Sequence, residues 1–241
     1  MKITILTMFP EMIASLQNAP IVMHACKKNI VALNVVDIRD YADGSFRDID
    51  DSPYGGGAGM ILRCAPVFKA LQAVKEDGSY TVLSTAAGTP YTQKKAHEFA
   101  AKEHLILICG HYEGVDARVN TAVDETVSIG DYIVSGGEYP AMIIADSIIR
   151  LLDGVIKKES IQEESFEHEL LEYPQYTKPA VYEGQAVPKV LLSGNHEKIE
   201  RWRKKESLRM TRRYRPELLK AAALSEEEKK LLEELKRDDA E

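Results

Sequence analysis

At 241 residues, 44% hydrophobic and 29% charged, the chain has core material for one large domain or for a domain with a smaller companion. No stretch reaches the ~18 uninterrupted apolar residues of a membrane helix, because the richest, 141–156, is broken by Asp146, Arg150 and Asp153. The formal charge of −7 weighs against a nucleic-acid partner only as an average, and three widely spaced cysteines, Cys26, Cys64 and Cys109, exclude a disulfide framework and suit reduced thiols in a cytoplasmic protein.

Taken in chain order, Lys2 opens an apolar run that stops at Pro10 and Glu11 without a small-residue cleavage site, so a buried strand is expected there and not a secretion signal. Strands are expected over 3–9, 31–38, 80–85, 104–109 and 125–130. Helices are expected over 11–17, 21–28, 65–74 and 92–102, with another beginning at Pro140. Most of these strands are apolar almost throughout, which predicts an α/β domain with a mainly parallel sheet and helices on both faces. Residues 159–174 are charged, lack a strand period and read as a linker. The expected organisation is therefore a first domain over 1–158, a connector over 159–174 and a small helical domain over 175–241.

The segment "SPYGGGAGM" (52–60) concentrates four glycines, Gly55, Gly56, Gly57 and Gly59. It fails as a Walker loop, since Met60 and Ile61 follow Gly59 where lysine and a hydroxyl residue are needed. It fails as a dinucleotide fingerprint, since position 60 is methionine and no strand runs directly into it. Three further clusters, "STAAG" (84–88), "GHYEG" (110–114) and "SIGDYIVSGGEYP" (128–140), follow successive predicted strands. Any one of them alone reads as an ordinary strand-to-helix turn. Together they place bare backbone at the carboxyl edge of a parallel sheet, where open α/β folds bind ligands. Main-chain groups there would grip a flat, nucleoside-like ligand with no lysine. Near the C-terminus, residues 198–215 hold nine Lys or Arg against two Glu, a local +7 that leaves −14 for the rest. Fields act over a Debye length of ~8–10 Å, so the patch outweighs the average.

"DDSPYGGGAGM" (50–60), "CGHYEGVDARV" (109–119), "SIGDYIVSGGEYPAM" (128–142), "LLEYPQYTKP" (170–179) and "VPKVLLSGNHEKIERWR" (187–203) resemble the bacterial tRNA guanine-N1 methyltransferase family, TrmD, in the family's order and over nearly the whole chain. The resemblance implies methyl transfer from S-adenosyl-L-methionine to the guanine immediately 3′ of a tRNA anticodon. It also implies a SPOUT fold with a deep trefoil knot, and a homodimer whose active sites lie at the subunit interface. No pattern in the sequence itself announces a knot. The implied donor contacts are Leu83, Ser84, Thr85, Ala86 and Gly88; Gly110, Tyr112, Glu113 and Gly114; and Ser128, Ile129, Gly130, Tyr132, Val134, Gly136, Gly137 and Pro140. Ala86 stands where the family commonly has proline, a change that bears on loop stiffness.

Guanine N1 carries a proton, so methylation there needs a base, and the charge that builds toward O6 needs a cation or donor. By resemblance the cation is Arg150 and the base is Glu164. The family has aspartate in a motif like "EDSF", whereas this chain reads "EESF". The extra carbon changes the reach by about 1.5 Å, on a scale where ~1 Å misplacement costs roughly a hundredfold. Glu163 is the alternative base. On the substrate side the expected contacts are Gly55, Gly57 and Gly59 bordering the pocket, Ser165 in the linker, and His196, Arg201, Trp202, Arg203, Arg209, Arg212 and Arg213 in the basic segment. In "RWRKK" (201–205) the basic residues outnumber the glutamates beside them, which favours RNA contact over a self-neutralised helix face. The resemblance also implies magnesium dependence, with no ligand cluster to place the ion and no protein-held metal expected. Two alternatives remain: a knotted 2′-O-ribose methyltransferase and a catalytically silent tRNA-binding protein.

Overall fold

The apolar runs form five parallel strands whose side chains feed two cores. The computed structural model describes residues 1–44 and 47–238, and the chain divides into two compact units, 1–157 and 158–241. The last three residues of the expected helical segment lie outside the described residues. The first unit runs β1 (Lys2–Thr7), α1 (Pro10–Gln17), α2 (Pro20–Lys27), β2 (Ala32–Asp37), β3 (Asp50–Asp51), β4 (Ile61–Leu62), α3 (Cys64–Val74), β5 (Ser79–Pro90), α4 (Gln93–Ala100), β6 (His104–Ile108), β7 (Glu125–Ser128) and α5 (Glu138–Ile149).

The sheet order is β2-β1-β6-β5-β7, with every pairing parallel. Along β6, Leu105 and Leu107 join Ile3, Ile5, Ile13, Val22, Phe99, Ile144 and Ile148 in one core. Ile106 and Ile108 join Leu6, Leu83, Val67, Leu71 and Val119 in the other. Successive strand residues point to opposite faces, so an apolar run without alternation needs helices on both sides, and it has them. The edge strand β2 departs from this: Ala32 and Asn34 are exposed and its remaining residues only half-buried. Proline opens α1 and α2, where its missing N–H costs nothing. The last helix begins at Glu138, two residues ahead of the expected Pro140.

A second departure concerns β5. It continues to Pro90, through the "STAAG" segment expected as a turn beyond the strand. Ser84 and Thr89 both pair with Val127, so the residues between them loop out of the ladder. Gly88 returns the chain so close that a Cβ on it would lie 2.4 Å from the Val127 backbone. The glycine-rich segment joins β3 to β4, a short antiparallel hairpin. Gly55, Gly56, Gly57 and Gly59 all have positive φ, a region closed to most side chains, and this is the first reason for the run.

The second unit contains α6 (Lys158–Gln162), β8 (Val181–Tyr182), β9 (Gln185–Ala186), α7 (His196–Tyr214), α8 (Pro216–Ala221) and α9 (Glu226–Asp238). Asn195 caps α7 by accepting from Lys198 N at 3.0 Å. Its core is Leu170, Leu208, Leu231 and Leu235. The charged stretch 159–174 begins in α6, and its end is tied to α7: Thr211 Oγ1 accepts from Leu171 N at 2.9 Å, and Ser207 donates to Leu171 O at 2.6 Å.

Gly88→Ala should lower the thermal midpoint, because the added methyl meets backbone that has no rotamer to yield; overpacking of this kind costs about 1–3 kcal/mol. An unchanged melting curve by circular dichroism would show that the β5–β7 crossing relaxes freely.

Candidate active site

Because all five strands are parallel, β5, β6 and β7 deliver their following loops to one edge. There 84–86, 110–115 and 127–137 enclose a cavity of about 280 Å³. Its lining takes in Leu83, Ser84, Thr85, Ala86, Gly110, Tyr112, Glu113, Gly114, Ser128, Ile129, Gly130, Tyr132, Val134, Gly136, Gly137 and Pro140. Thus every residue expected at the donor reaches this cavity except Gly88, which is spent on the crossing with Val127. The lining also includes His111, Val115, Asn120, Val127, Ile133 and Ser135, which sequence reasoning passed over. His111 stood inside the quoted "GHYEG", but attention to main-chain contacts hid its side chain.

The two later loops meet backbone to backbone. Gly137 N donates to Gly110 O at 2.7 Å, and His111 bridges Gly136. A Cβ at Gly137 would sit 2.6 Å from Gly110 N and 2.7 Å from Cys109 Cα, so no larger residue fits. Tyr112 takes a positive φ of 58°, which turns the 110–114 loop back on itself. Beneath the loops, burial pushes the Cys109 thiol well up, with the neighbouring Glu138 adding to the shift. That thiol stays protonated and is no nucleophile. Beyond the cavity, Arg118 pairs with Asp116 at 2.6 Å and brings its carboxyl down to about 2.

The glycine-rich segment is fastened to this wall. Glu113 N donates to Met60 O and Leu62 N to Gly114 O, each at 3.0 Å. Gly59 lies against Glu113, where a Cβ would be 2.5 Å from its Cγ. Gly55 and Gly56 have nothing within 4 Å of a built Cβ and stand exposed. Close approach therefore explains Gly59, and turn geometry explains the others.

The two residues expected at the reacting base lie in different units. Arg150 ends α5 and lines a shallow groove with Ser15, Leu16, Met142, Ile143, Asp146 and Ser147, apart from the glycine-walled cavity. Glu164 follows α6, and its amide donates to Ile161 O at 3.1 Å. Glu163, the alternative base, accepts from Tyr173 Oη at 2.6 Å and lies 3.7 Å from Arg203. Burial, then that carboxylate, push the Tyr173 phenol up to about 12. Ser165 Oγ accepts from Glu172 N at 2.9 Å, closing the segment into a bonded loop.

The basic helix α7 is less naked than its sequence suggests. Arg201 pairs with Glu234 at 2.6 Å, Lys204 with Glu227 at 2.8 Å and Lys205 with Asp238 at 2.8 Å, all from α9. The argument from charges beside "RWRKK" in sequence therefore fails, because acids remote in sequence face it. Arg203 stacks over Tyr173 at 4.9 Å, and Trp202 lies 6.4 Å from Tyr176. Lys198, Arg209 and Arg213 are also exposed, with Arg209 paired to Glu206 and Arg213 over the Tyr214 ring. His196, the first residue of α7, is exposed and Arg212 is half-buried. Among the described residues, no group of three or more His, Cys, Asp or Glu side chains is placed to hold a metal, and no helix is long and apolar enough to cross a membrane.

Comparison with known proteins agrees in extent with this architecture. The profile of the family described as tRNA (Guanine-1)-methyltransferase TrmD matches residues 1–221. A tRNA (guanine-N(1)-)-methyltransferase of Syntrophomonas wolfei is 50% identical over 236 residues, covering 98% of this chain and 97% of its own. Proteins of the same name from Bacillus pumilus (50% identity, 99% of this chain and 100% of its own) and Dictyoglomus turgidum (46%, 99% and 98%) align equally fully. A match that spans both units and every loop of the cavity leaves one conclusion: the chain belongs to the TrmD family of tRNA (guanine-1)-methyltransferases.

Proposed function

We propose that this protein transfers a methyl group from S-adenosyl-L-methionine to N1 of the guanine immediately 3′ of the anticodon in tRNA. The observation that carries the reading is the convergence of three glycine-bearing loops on one cavity, in a chain of this family. The residues present suit the donor. Gly110, Gly136 and Gly137 line the cavity with main chain alone, and Gly136 and Gly137 leave no room for a Cβ, which suits a purine and ribose packed against backbone. When bound, the donor supplies an electrophilic methyl on a sulfonium.

The protein's share is then positioning and proton removal. Glu164 takes the N1 proton, and Arg150 stabilises the charge that develops toward O6. The site is proposed to be shared between the subunits of a homodimer on the family match. The exposed apolar side chains of Tyr139 and Ile143 on α5 support such an interface. The knotted carboxyl half is proposed on the family match alone. Magnesium is proposed as a requirement without a protein cage; a hard cation bound largely through water and phosphate needs none. The place of action is the cytoplasm, where tRNA is found.

Unmodified tRNA incubated with tritiated S-adenosylmethionine, digested and chromatographed should yield label in 1-methylguanosine. Label in a 2′-O-methylnucleoside, or none at all, would replace this reading with one of its two alternatives. Glu164→Gln should abolish single-turnover methylation while tRNA binding persists, and near-normal turnover would remove Glu164 from the mechanism.

The ion pairs of α7 divide its basic residues. Arg201, Lys204 and Lys205 are engaged by carboxylates of α9, and Arg209 lies near enough to Asp238 to add to the lowering of its pKa by Lys205. Lys198 and Arg213 are exposed and make no such pair among the described residues, which supports them as phosphate contacts. Replacing Lys198 and Arg213 with alanine should weaken tRNA binding and flatten its logarithmic salt slope by roughly 1.5, as expected for two lost phosphate contacts. Replacing Arg201 and Lys205 should leave the slope nearly unchanged; equal losses from both pairs would show that α9 does not partition the helix.

A further inference from the structure

Beneath the cavity lies a polar pair that the reaction as proposed does not use. Glu138, the first residue of α5, is completely buried. Its Oε1 accepts a hydrogen bond from Thr7 Oγ1 at 2.7 Å, and Thr7 in turn accepts from Phe9 N at 2.9 Å. Its Oε2 has no partner. The nearest imidazole nitrogen, His111 Nδ1, is 3.6 Å away, buried, and also without a partner. That separation is too long for a hydrogen bond. Two complementary buried atoms thus face each other across a gap slightly wider than a bond, which is the kind of vacancy that calls for an explanation.

The surroundings say what controls the gap. The His111 ring is held between Phe9, with centroids 4.9 Å apart, and Tyr112, at 5.0 Å and edge-on. Its backbone bridges Gly136, and a Cβ built on Gly136 would fall 2.4 Å from both Glu138 Oε2 and His111 Nδ1. Gly136, His111 and the 110–114 loop all line the cavity. Glu138 is anchored to the sheet through Thr7 at the end of β1 and stands in the first turn of α5. One partner is therefore fixed to the scaffold, and the other rides on a loop that touches whatever fills the cavity.

We propose that His111 and Glu138 are a positioning pair completed by the methyl donor. Filling the cavity draws the His111 loop onto Gly136 and closes Nδ1–H···Oε2. The bond holds the proton on Nδ1, fixes the ring, and locks the 110–114 and 134–137 loops in their donor-binding arrangement. The proposal rests on the donor occupying this cavity. It adds a reason why His111 is a histidine, with a ring packed by aromatics and a nitrogen donor aimed at a buried carboxylate.

The test uses the full-length protein, ¹⁵N-histidine labelling and S-adenosylhomocysteine as the probe. On addition of the probe, the His111 Nδ1 resonance should take the protonated position and its proton should become protected from exchange. By calorimetry, His111→Phe, which keeps a ring but no donor, should weaken binding about tenfold or more, as for loss of a hydrogen bond to a charged group. His111→Asn, whose amide nitrogen falls near the Nδ1 position, should recover most of that loss, and Glu138→Gln should resemble His111→Phe. Thermal melts of each variant separate these effects from misfolding. Binding that leaves the His111 signals unchanged, or that is equally weak in the Phe and Asn variants, would overturn the pair alone. Failure of the wild-type protein to bind the probe would overturn the pair together with the donor site itself.

Discussion

The site depends on backbone lying directly against backbone at the carboxyl edge of the sheet. Gly137 N reaches Gly110 O at 2.7 Å because Gly137 carries no Cβ, which would fall 2.6 Å from Gly110 N. Any side chain at Gly137 would have to displace the Cys109–Gly110 peptide, and the cavity wall would move with it. Glycine weakens a folded segment through the entropy it loses, roughly 0.5–1 kcal/mol relative to alanine in regular structure. Concentrating glycines in three adjacent loops is tolerable because the strands beneath are rigid. β6 is buried along its full length and packs into both cores. Precision at the edge thus derives from apolar packing well below it.

That logic explains which parts of the molecule were legible in the sequence. The five main strands announced themselves as apolar runs, and their shared direction followed from the helices between them. The loops announced themselves as glycine clusters after strands. What stayed hidden lacked a local signature. The excursion between Ser84 and Thr89 leaves β5 apolar then polar, which reads as a strand ending in a turn. The β8–β9 hairpin has two fully exposed strands of two residues, and its turn is Glu183–Gly184, both at positive φ, in place of the usual Asn-Gly. His111 was invisible for a different reason. Its partner Glu138 lies 27 residues on, and only the fold shows that the two share a buried space. The assignment of Arg150, Glu164 and the donor contacts to chemical roles came from family resemblance. Arg150 in particular is, from its residue neighbours alone, an arginine on an amphipathic helix.

The basic segment illustrates how local counting of charge misleads. Over 198–215 the tally is +7, yet Arg201, Lys204 and Lys205 each have a carboxylate from α9 within 3 Å. Those acids lie 23 to 33 residues away along the chain. The hydrophobic seam of Leu208, Leu231 and Leu235 sets their positions, with the charges flanking it. Exposed pairs of this kind contribute little individually, about 0–1 kcal/mol each. Their consequence is geometric: on the flank of α7 that meets α9, the positive charges are matched by carboxylates.

The glycine-rich segment shows the same division between shape and contact. Gly55 and Gly56 face open space, a Cβ on Gly57 would meet only Pro53 at 3.7 Å, and all three have φ values that other residues avoid, so they allow the chain to reverse sharply between β3 and β4. Gly59 is crowded instead, lying under Glu113 while Met60 O receives the Glu113 amide. The segment is therefore anchored at its carboxyl end and open at its tip. The main chain of the tip stays accessible to a large ligand, because Gly55 and Gly56 are exposed and carry no side chain to cover it. Three consecutive positive φ values make the turn, and the separated fourth glycine gives the Glu113 side chain the space that a Cβ would take.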